Sequence, residues 1–413
     1  MRLRLIPVDT LPGGEFLESN MELRVPLSDM DYGPEEEQAV IDVVHRRWLT
    51  MGSVTQEFER EFAEFLGVKH ALAISNCTEA LHLACLALGI GPGDEVIAPS
   101  LTFVATTNAV LYTGAEVRFA DICGMDDFTV SPDDIERKIT PRTRAVIAMH
   151  YGGYPCRTAQ ILEIARRHGL AVIEDAAHAP GASIAGRALG TWGDAGCFSF
   201  FSNKNLATGE GGMLVTDRDD VAGRVKILRS HGMTALTWDR HHGHAHTYDV
   251  IDLGYNYRID EIRAALGRVQ LRKLAQNNRR REAITRHYRR QITRMGVGIE
   301  LPFLNASGSP ACHLFPILLP PGIDRLGFIE QMRDRGVQTS IHYPPVHKFT
   351  YYQKRYPGIS LPLTESVAAR EVTLPLYPGM SDGVVDDVLS AVEAATKHAQ
   401  VHRPLSSEGI WPA

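Results

Sequence analysis

Cysteine is scarce: six residues, at positions 77, 85, 123, 156, 197 and 312, and no two stand in C-x-x-C spacing. That argues against zinc and dithiol motifs, and the density is too low for a framework of secreted disulfides. Sustained apolar runs are missing. None reaches the ~20 residues that a membrane-spanning helix needs. The start, Met1-Arg2-Leu3-Arg4-Leu5-Ile6-Pro7, has basic residues without the apolar stretch of a signal peptide. A large excess of one charge is also absent. With 43 Lys and Arg against 49 Asp and Glu, the formal net charge is −6. Such a balance calls for neither a nucleic acid nor an anionic membrane, although a local basic cleft for a phosphate-bearing substrate stays open. These absences leave the cytoplasm as the expected location.

What is present suits a globular protein: 413 residues, 44% hydrophobic and 22% charged. That length predicts two domains rather than one minimal core. From residue 70 short apolar runs alternate with helical patterns. Strands are expected at Ala71–Ile74, Val96–Ala98, Val117–Phe119, Ala145–Ala148, Ala171–Ile173, Cys197–Phe200 and Met213–Thr216. Helices are expected at Glu79–Leu88, Phe103–Tyr112 and Ile161–His168. The order argues an α/β fold with a mostly parallel sheet covered on both faces. Ile262 to about Ile292 reads as one long arginine-rich helix bridging two domains, followed by a smaller α+β portion with a strand at His313–Leu319. The expected division is an arm (1–25), a large domain (26–260), a small domain with its linking helix (261–403) and a tail (404–413).

Several residues are candidates for chemistry. Ser75-Asn76-Cys77-Thr78-Glu79 follows a strand and opens a helix, so it is either an ordinary N-cap or a phosphate site on free backbone N–H groups. Phe103 follows the next strand and is either a core residue or a ring that stacks on a flat heterocycle. Glu174-Asp175 ends an apolar run. Acids there meet solvent, cap a loop or face a cation such as a protonated pyridine nitrogen. His178 follows three residues later. Lys204 stands among small polar residues ahead of Gly209-Glu210-Gly211-Gly212. One lysine and one such acid are the two parts needed to operate pyridoxal phosphate: the amine captures the aldehyde, and the carboxylate keeps the ring nitrogen protonated. Arg240-His241-His242-Gly243-His244-Ala245-His246 lacks a metal-ligand pattern and reads as a mobile loop near a substrate. No metal is expected.

The ordered set resembles the DegT/StrS family of sugar aminotransferases. It comprises the Ser75–Ala80 cap, Phe103, Glu174-Asp175-Ala176-Ala177-His178, Ser199 with Lys204-Asn205, and Gly254-Tyr255-Asn256-Tyr257-Arg258. Trp48-Leu49-Thr50-Met51-Gly52, Gly89-Ile90-Gly91-Pro92-Gly93-Asp94-Glu95-Val96 and Leu374-Pro375-Leu376-Tyr377-Pro378 are similar to family motifs as well. The likeness runs from about Pro26 to about Leu389. It implies a fold type I pyridoxal phosphate enzyme: a seven-stranded, mostly parallel sheet between helices, plus a smaller C-terminal α+β domain. It implies that Lys204 binds the cofactor covalently and shuttles protons. Asp175 would pair with the ring nitrogen and Phe103 would stack on the ring. Thr78, Ser199 and the Glu79 amide would hold the phosphate, and His178 would stand where many relatives have glutamine. Asn256 would reach the phosphate in a partner subunit, which makes a homodimer with shared active sites the minimal unit.

The implied reaction is transfer of an amino group from L-glutamate to a nucleotide-linked keto sugar. Thr50, His342 and His347 are candidates to touch that substrate. Alternatives are a keto cyclitol as acceptor, a sugar dehydratase on the same scaffold, and a non-catalytic regulatory homologue. Lysine at 204 argues against the dehydratase, whose resembling members carry histidine there. The retained Asp175 and Lys204 speak against lost catalysis.

Overall fold

The computed structural model describes residues 23–234 and 247–401. Most of the expected arm, the tail and the Arg240–His246 loop lie outside them. After helices α1 (Pro34–Arg46) and α2 (Ser53–Leu66), strands and helices alternate: β1 (His70–Ile74), α3 (Cys77–Ala87), β2 (Glu95–Pro99), α4 (Ala105–Tyr112), β3 (Glu116–Ala120), α5 (Pro132–Arg137), β4 (Thr143–Met149), α6 (Thr158–His168) and β5 (Ala171–Asp175). A two-residue hairpin follows, β6 (Ser183–Ile184) with β7 (Arg187–Ala188). Then come β8 (Ala195–Ser199), β9 (Gly212–Thr216) and α7 (Asp219–Leu228).

Seven strands form one sheet in the order β1-β9-β8-β5-β4-β2-β3. Only β9 runs against its neighbours. This is the seven-stranded, mostly parallel α/β sheet of fold type I, as the sequence implied. The strands read as unbroken apolar runs because helices bury both faces. Every residue of β2, β8 and β9 is buried. Parallel strands must be joined by crossovers, and in such sheets ligands gather beyond the carboxyl ends.

The helix Glu261–Met295 spans 35 residues and joins two cores. Its first half packs Ala264, Ala265 and Leu274 with Phe58 and Phe62 of α2. Its second half packs Ile284, Tyr288 and Ile292 with strands β10 (Phe315–Leu318) and β11 (Glu371–Leu374) and with the helix Asp382–Val401. Glu261 fixes its start against α2. The carboxylate accepts from the amides of Gly52 (2.8 Å), Val54 (2.9 Å) and Thr55 (2.9 Å) and from the Thr55 hydroxyl (2.6 Å). It does the work of an N-cap, since the cap residue Gly52 has no side chain to offer.

Two boundaries differ from the sequence-based expectation, and both bear on the site. The helix expected at Phe103 begins at Ala105, which leaves Phe103 in the preceding turn. The strand expected at His313 begins at Phe315, because the His313 amide donates to Gly152 O (2.9 Å) rather than to a strand neighbour. Among the described residues no helix is long and apolar enough to cross a membrane.

Candidate active site

The carboxyl ends of β4, β5 and β8 and the start of α3 open onto a cavity of about 980 Å³. The two-residue period of β5 assigns its terminal acids different work. Glu174 faces away from the cavity and organises a turn. It accepts from the amides of Gly190 (2.8 Å), Trp192 (2.5 Å) and Gly193 (2.7 Å), and lies 2.9 Å from His150 Nε2. Asp175 lines the cavity and is only 4% exposed. Thr106 Oγ1 donates to its Oδ2 (2.7 Å) and the Ala177 amide to its Oδ1 (3.2 Å). Burial pushes the carboxyl above its ordinary pKa, while these hydrogen bonds and Lys204 pull the other way.

Lys204 lines the same cavity. Burial pushes its amine down to about 8, against the opposing pull of Asp175 and Cys77. A lysine so placed is neutral in a useful fraction near pH 7, as an attacking amine must be. Its Nζ lies 3.5 Å from His313 Nε2. His178 also lines the cavity. The Gly152 amide donates to its Nδ1 (3.2 Å), so the neutral ring carries its hydrogen on Nε2 and gives it to the Tyr343 hydroxyl (2.9 Å). Burial holds this imidazole well below its ordinary pKa.

Thr78 and Ser199 line the cavity beside the first turn of α3. The Glu79 amide, assigned to phosphate by the resemblance, donates to the N-cap Asn76 Oδ1 (2.9 Å), so the ordinary capping interaction is formed here. Gly212 crosses just beneath. A Cβ there would lie 2.6 Å from the carbonyl carbon of Asn76 and 2.7 Å from the Cys77 nitrogen. Only glycine lets β9 lie this close to the cavity floor. Phe103, 56% exposed, stands at the mouth with its ring 6.1 Å from that of Tyr343. Asn203 Oδ1 is buried in the cavity wall without a partner.

Not every sequence candidate is brought here. His342 lines the cavity, with Nδ1 2.9 Å from Thr373 Oγ1 and burial pushing its pKa to about 3. His347 does not line it. Its Nδ1 meets Ser100 Oγ (2.7 Å) and its Nε2 meets Glu365 (3.1 Å), so both ring nitrogens serve the fold. Thr50 and Asn256 are exposed and outside the lining. Sequence reasoning passed over Thr106, Tyr343, Arg263 and His313. Helical spacing from Phe103 could have suggested Thr106. The others arrive from distant segments and carry no local motif.

The donor set fits pyridoxal phosphate. A buried carboxylate suits a ring cation and a lysine of lowered pKa suits an aldehyde. Hydroxyls at a helix start suit a phosphate, and the glycine at 212 lets the start of α3 sit directly against β9 at the cavity floor.

Comparisons with known proteins agree with this chemistry. The model of the DegT/DnrJ/EryC1/StrS aminotransferase family matches residues 30–393. The spore coat polysaccharide biosynthesis protein SpsC of Bacillus subtilis is 42% identical over 374 residues, covering 89% of this chain and 96% of its own. Among solved structures, the aminotransferase TlmJ from Streptoalloteichus hindustanus superposes with a TM-score of 0.83 at 34% identity, covering 91% of this chain and 99% of its own. S. venezuelae DesV, solved in complex with a ketimine intermediate, gives 0.80 at 35% identity, with 88% and 94% covered.

Proposed function

This chain belongs to the DegT/DnrJ/EryC1/StrS aminotransferase family, and from that premise we propose that it moves an amino group from L-glutamate to the ketone of a nucleotide-linked keto sugar. The family is pyridoxal phosphate-dependent. One observation carries the reading. A buried carboxylate, Asp175, and a lysine of lowered pKa, Lys204, open into one cavity beside the hydroxyls of Thr78 and Ser199.

When bound, pyridoxal phosphate supplies an aldehyde to carry nitrogen and a ring that accepts electrons. The chain does the rest. Asp175 holds negative charge where a ring cation belongs, and that pairing offsets the cost of its burial. Lys204 would hold the cofactor through its amine. Once displaced, its Nζ would take the proton from the donor carbon and deliver it to the carbon that carried the aldehyde, acting as base and then acid. Phe103 covers the ring. Thr78, Ser199 and the first turn of α3 hold the phosphate, with the helix dipole favouring negative charge. His178 and Tyr343 close the wall behind, and His342 faces the incoming substrate.

The sugar acceptor is supported by the name of the relative SpsC, a spore coat polysaccharide biosynthesis protein, and by Arg263, which lines the cavity while its Nε donates to Asp260 (2.6 Å) and leaves further guanidinium donors for a diphosphate. A two-fold homodimer with shared sites is part of the proposal. It is supported by the apolar side chains of Val250 (58% exposed), Ile251 (57%) and Leu253 (81%), three to six residues before Asn256. Asn256 and Thr50 then serve the neighbouring subunit's cavity.

The experiment is direct. Purified protein loaded with cofactor is mixed with L-glutamate, and its visible absorbance is followed. Keto sugars and keto cyclitols are then screened by mass spectrometry of the product. The expected results are a bleached visible band and an aminated nucleotide sugar. A band insensitive to L-glutamate would remove the proposed donor, and amination of cyclitols alone would remove the proposed acceptor.

A further inference from the structure

His313 lies outside the cavity lining, is only 5% exposed, and presents Nε2 to Lys204 Nζ at 3.5 Å. A ring nitrogen beside an amine can give or take a hydrogen. The groups behind the ring decide which. His313 Nδ1 is 3.0 Å from Asn205 Oδ1. The Asn205 amide donates to Ala311 O (2.8 Å) and to Asn278 Oδ1 (2.9 Å). Asn278 Nδ2 donates in turn to Pro180 O (2.9 Å). A backbone carbonyl can only accept. Pro180 O therefore orients the Asn278 amide, and Asn278 with Ala311 O orients the Asn205 amide. The oxygen of Asn205 must face the imidazole. His313 Nδ1 carries the hydrogen, and a neutral ring turns a bare lone pair toward the lysine.

We propose that His313 is a positioning residue for the Lys204 amine, accepting a hydrogen from Nζ so that the amine's own lone pair points away toward the reacting carbon. This deepens the reading of Lys204 as the reactive amine and rests on it. After Lys204 takes up a proton, the ammonium donates to the same nitrogen, and the bond becomes charge-assisted. The proton stays on Nζ until it is handed on, and His313 itself gains none. Its acceptor raises the basicity of the free amine and offsets part of the burial penalty.

The other groups around this pair are consistent with that role. Asp175 of β5 and Cys77 of α3 favour the charged lysine. Burial, reinforced by the charges of Lys204 and of Arg281 on the long helix, keeps His313 uncharged. Burial and Lys204 likewise keep His178 and His342 neutral. Tyr343 closes the same wall, and burial keeps its phenol protonated.

The test labels Lys204 in the full-length, cofactor-free chain with trinitrobenzenesulfonate over a range of pH, read by peptide mass spectrometry. His313→Leu should lower the labelling midpoint by about one pH unit, the size of a charge-assisted hydrogen bond. His313→Gln, whose amide oxygen replaces the acceptor, should restore most of it. An unchanged midpoint in a folded leucine variant, or no rescue by glutamine, overturns the proposal. A second measurement needs no substitution. Nitrogen-15 NMR of the wild-type chain should show His313 with hydrogen on Nδ1, and an Nε2–H tautomer overturns the proposal. Failure of borohydride to fix the cofactor on Lys204 would sink the parent reading, whereas the wrong tautomer sinks only this one.

Discussion

Thr106 gives a sharp test of how Asp175 is maintained. Its hydroxyl donates to Asp175 Oδ2 at 2.7 Å and is itself 2.7 Å from Thr102 Oγ1, all of it buried. Thr106→Val keeps the shape and removes the donor. A hydrogen bond to a charged group contributes about 1.5–3 kcal/mol. Burial already holds the Asp175 pKa high and Thr106 acts to lower it, so valine drives it higher still. The ionised carboxylate is what matches a protonated ring nitrogen, and that match matters most as electrons move into the ring. Losing the bond should slow the donor half-reaction by about ten- to a hundredfold. The acid limb of the pH–rate profile should also move to higher pH, because a carboxyl of raised pKa becomes ionised later. The assay is single-turnover absorbance with L-glutamate across pH. Thr106→Ser, which keeps the donor, should stay near wild type. A valine variant within about twofold of wild type, with an unmoved acid limb, would refute the argument that this hydroxyl maintains the charge.

Lys204→Met should abolish turnover, yet stabilise the cofactor-free chain. The folded pKa of about 8 lies below the ordinary 10.5, so the protonated amine costs the folded state below pH 8, and the cost fades as pH rises from 8 through 10.5. Denaturant unfolding should show a gain of roughly 3 kcal/mol at pH 7 that vanishes above the upper limit; a gain independent of pH contradicts this. Gly212→Ala should weaken cofactor binding at least about tenfold, because a Cβ 2.6 Å from Asn76 must push the start of α3 away; equilibrium dialysis checks it. Glu261→Gln should cost about 1–3 kcal/mol in urea unfolding, since an amide cannot accept from four donors as a carboxylate does. Asn256→Ala should loosen the cofactor in the partner's site, and mixed dimers carrying Asn256→Ala on one chain and Lys204→Ala on the other should separate that effect from one within the same chain.

Much of the sheet was legible because local physics sets it. Runs such as Val96-Ile97-Ala98 and Ala145–Ala148 fall inside β2 and β4, and the Asn76 cap starts α3 close to where its side chain predicts. The register of β5 also made an acid at a strand end visible. It could not show that Glu174 and Asp175 part company, since that depends on what each face of the sheet meets. Thr50 and His347 were named by motif, and the structure brings neither into the cavity: one is exposed and the other is tied to Ser100 and Glu365.

By itself the sequence determined the α/β alternation, which follows from local periodicity, and its ordered motifs carried the resemblance to the aminotransferase family and named Lys204 and Asp175 as the candidate pair. The tertiary structure alone decided which groups tune that pair. Thr106 comes from a neighbouring crossover, and His313 comes from a segment more than a hundred positions away whose amide turned to Gly152 instead of joining a strand. Electrostatics depends on distance in space and on burial, and chain folding sets both.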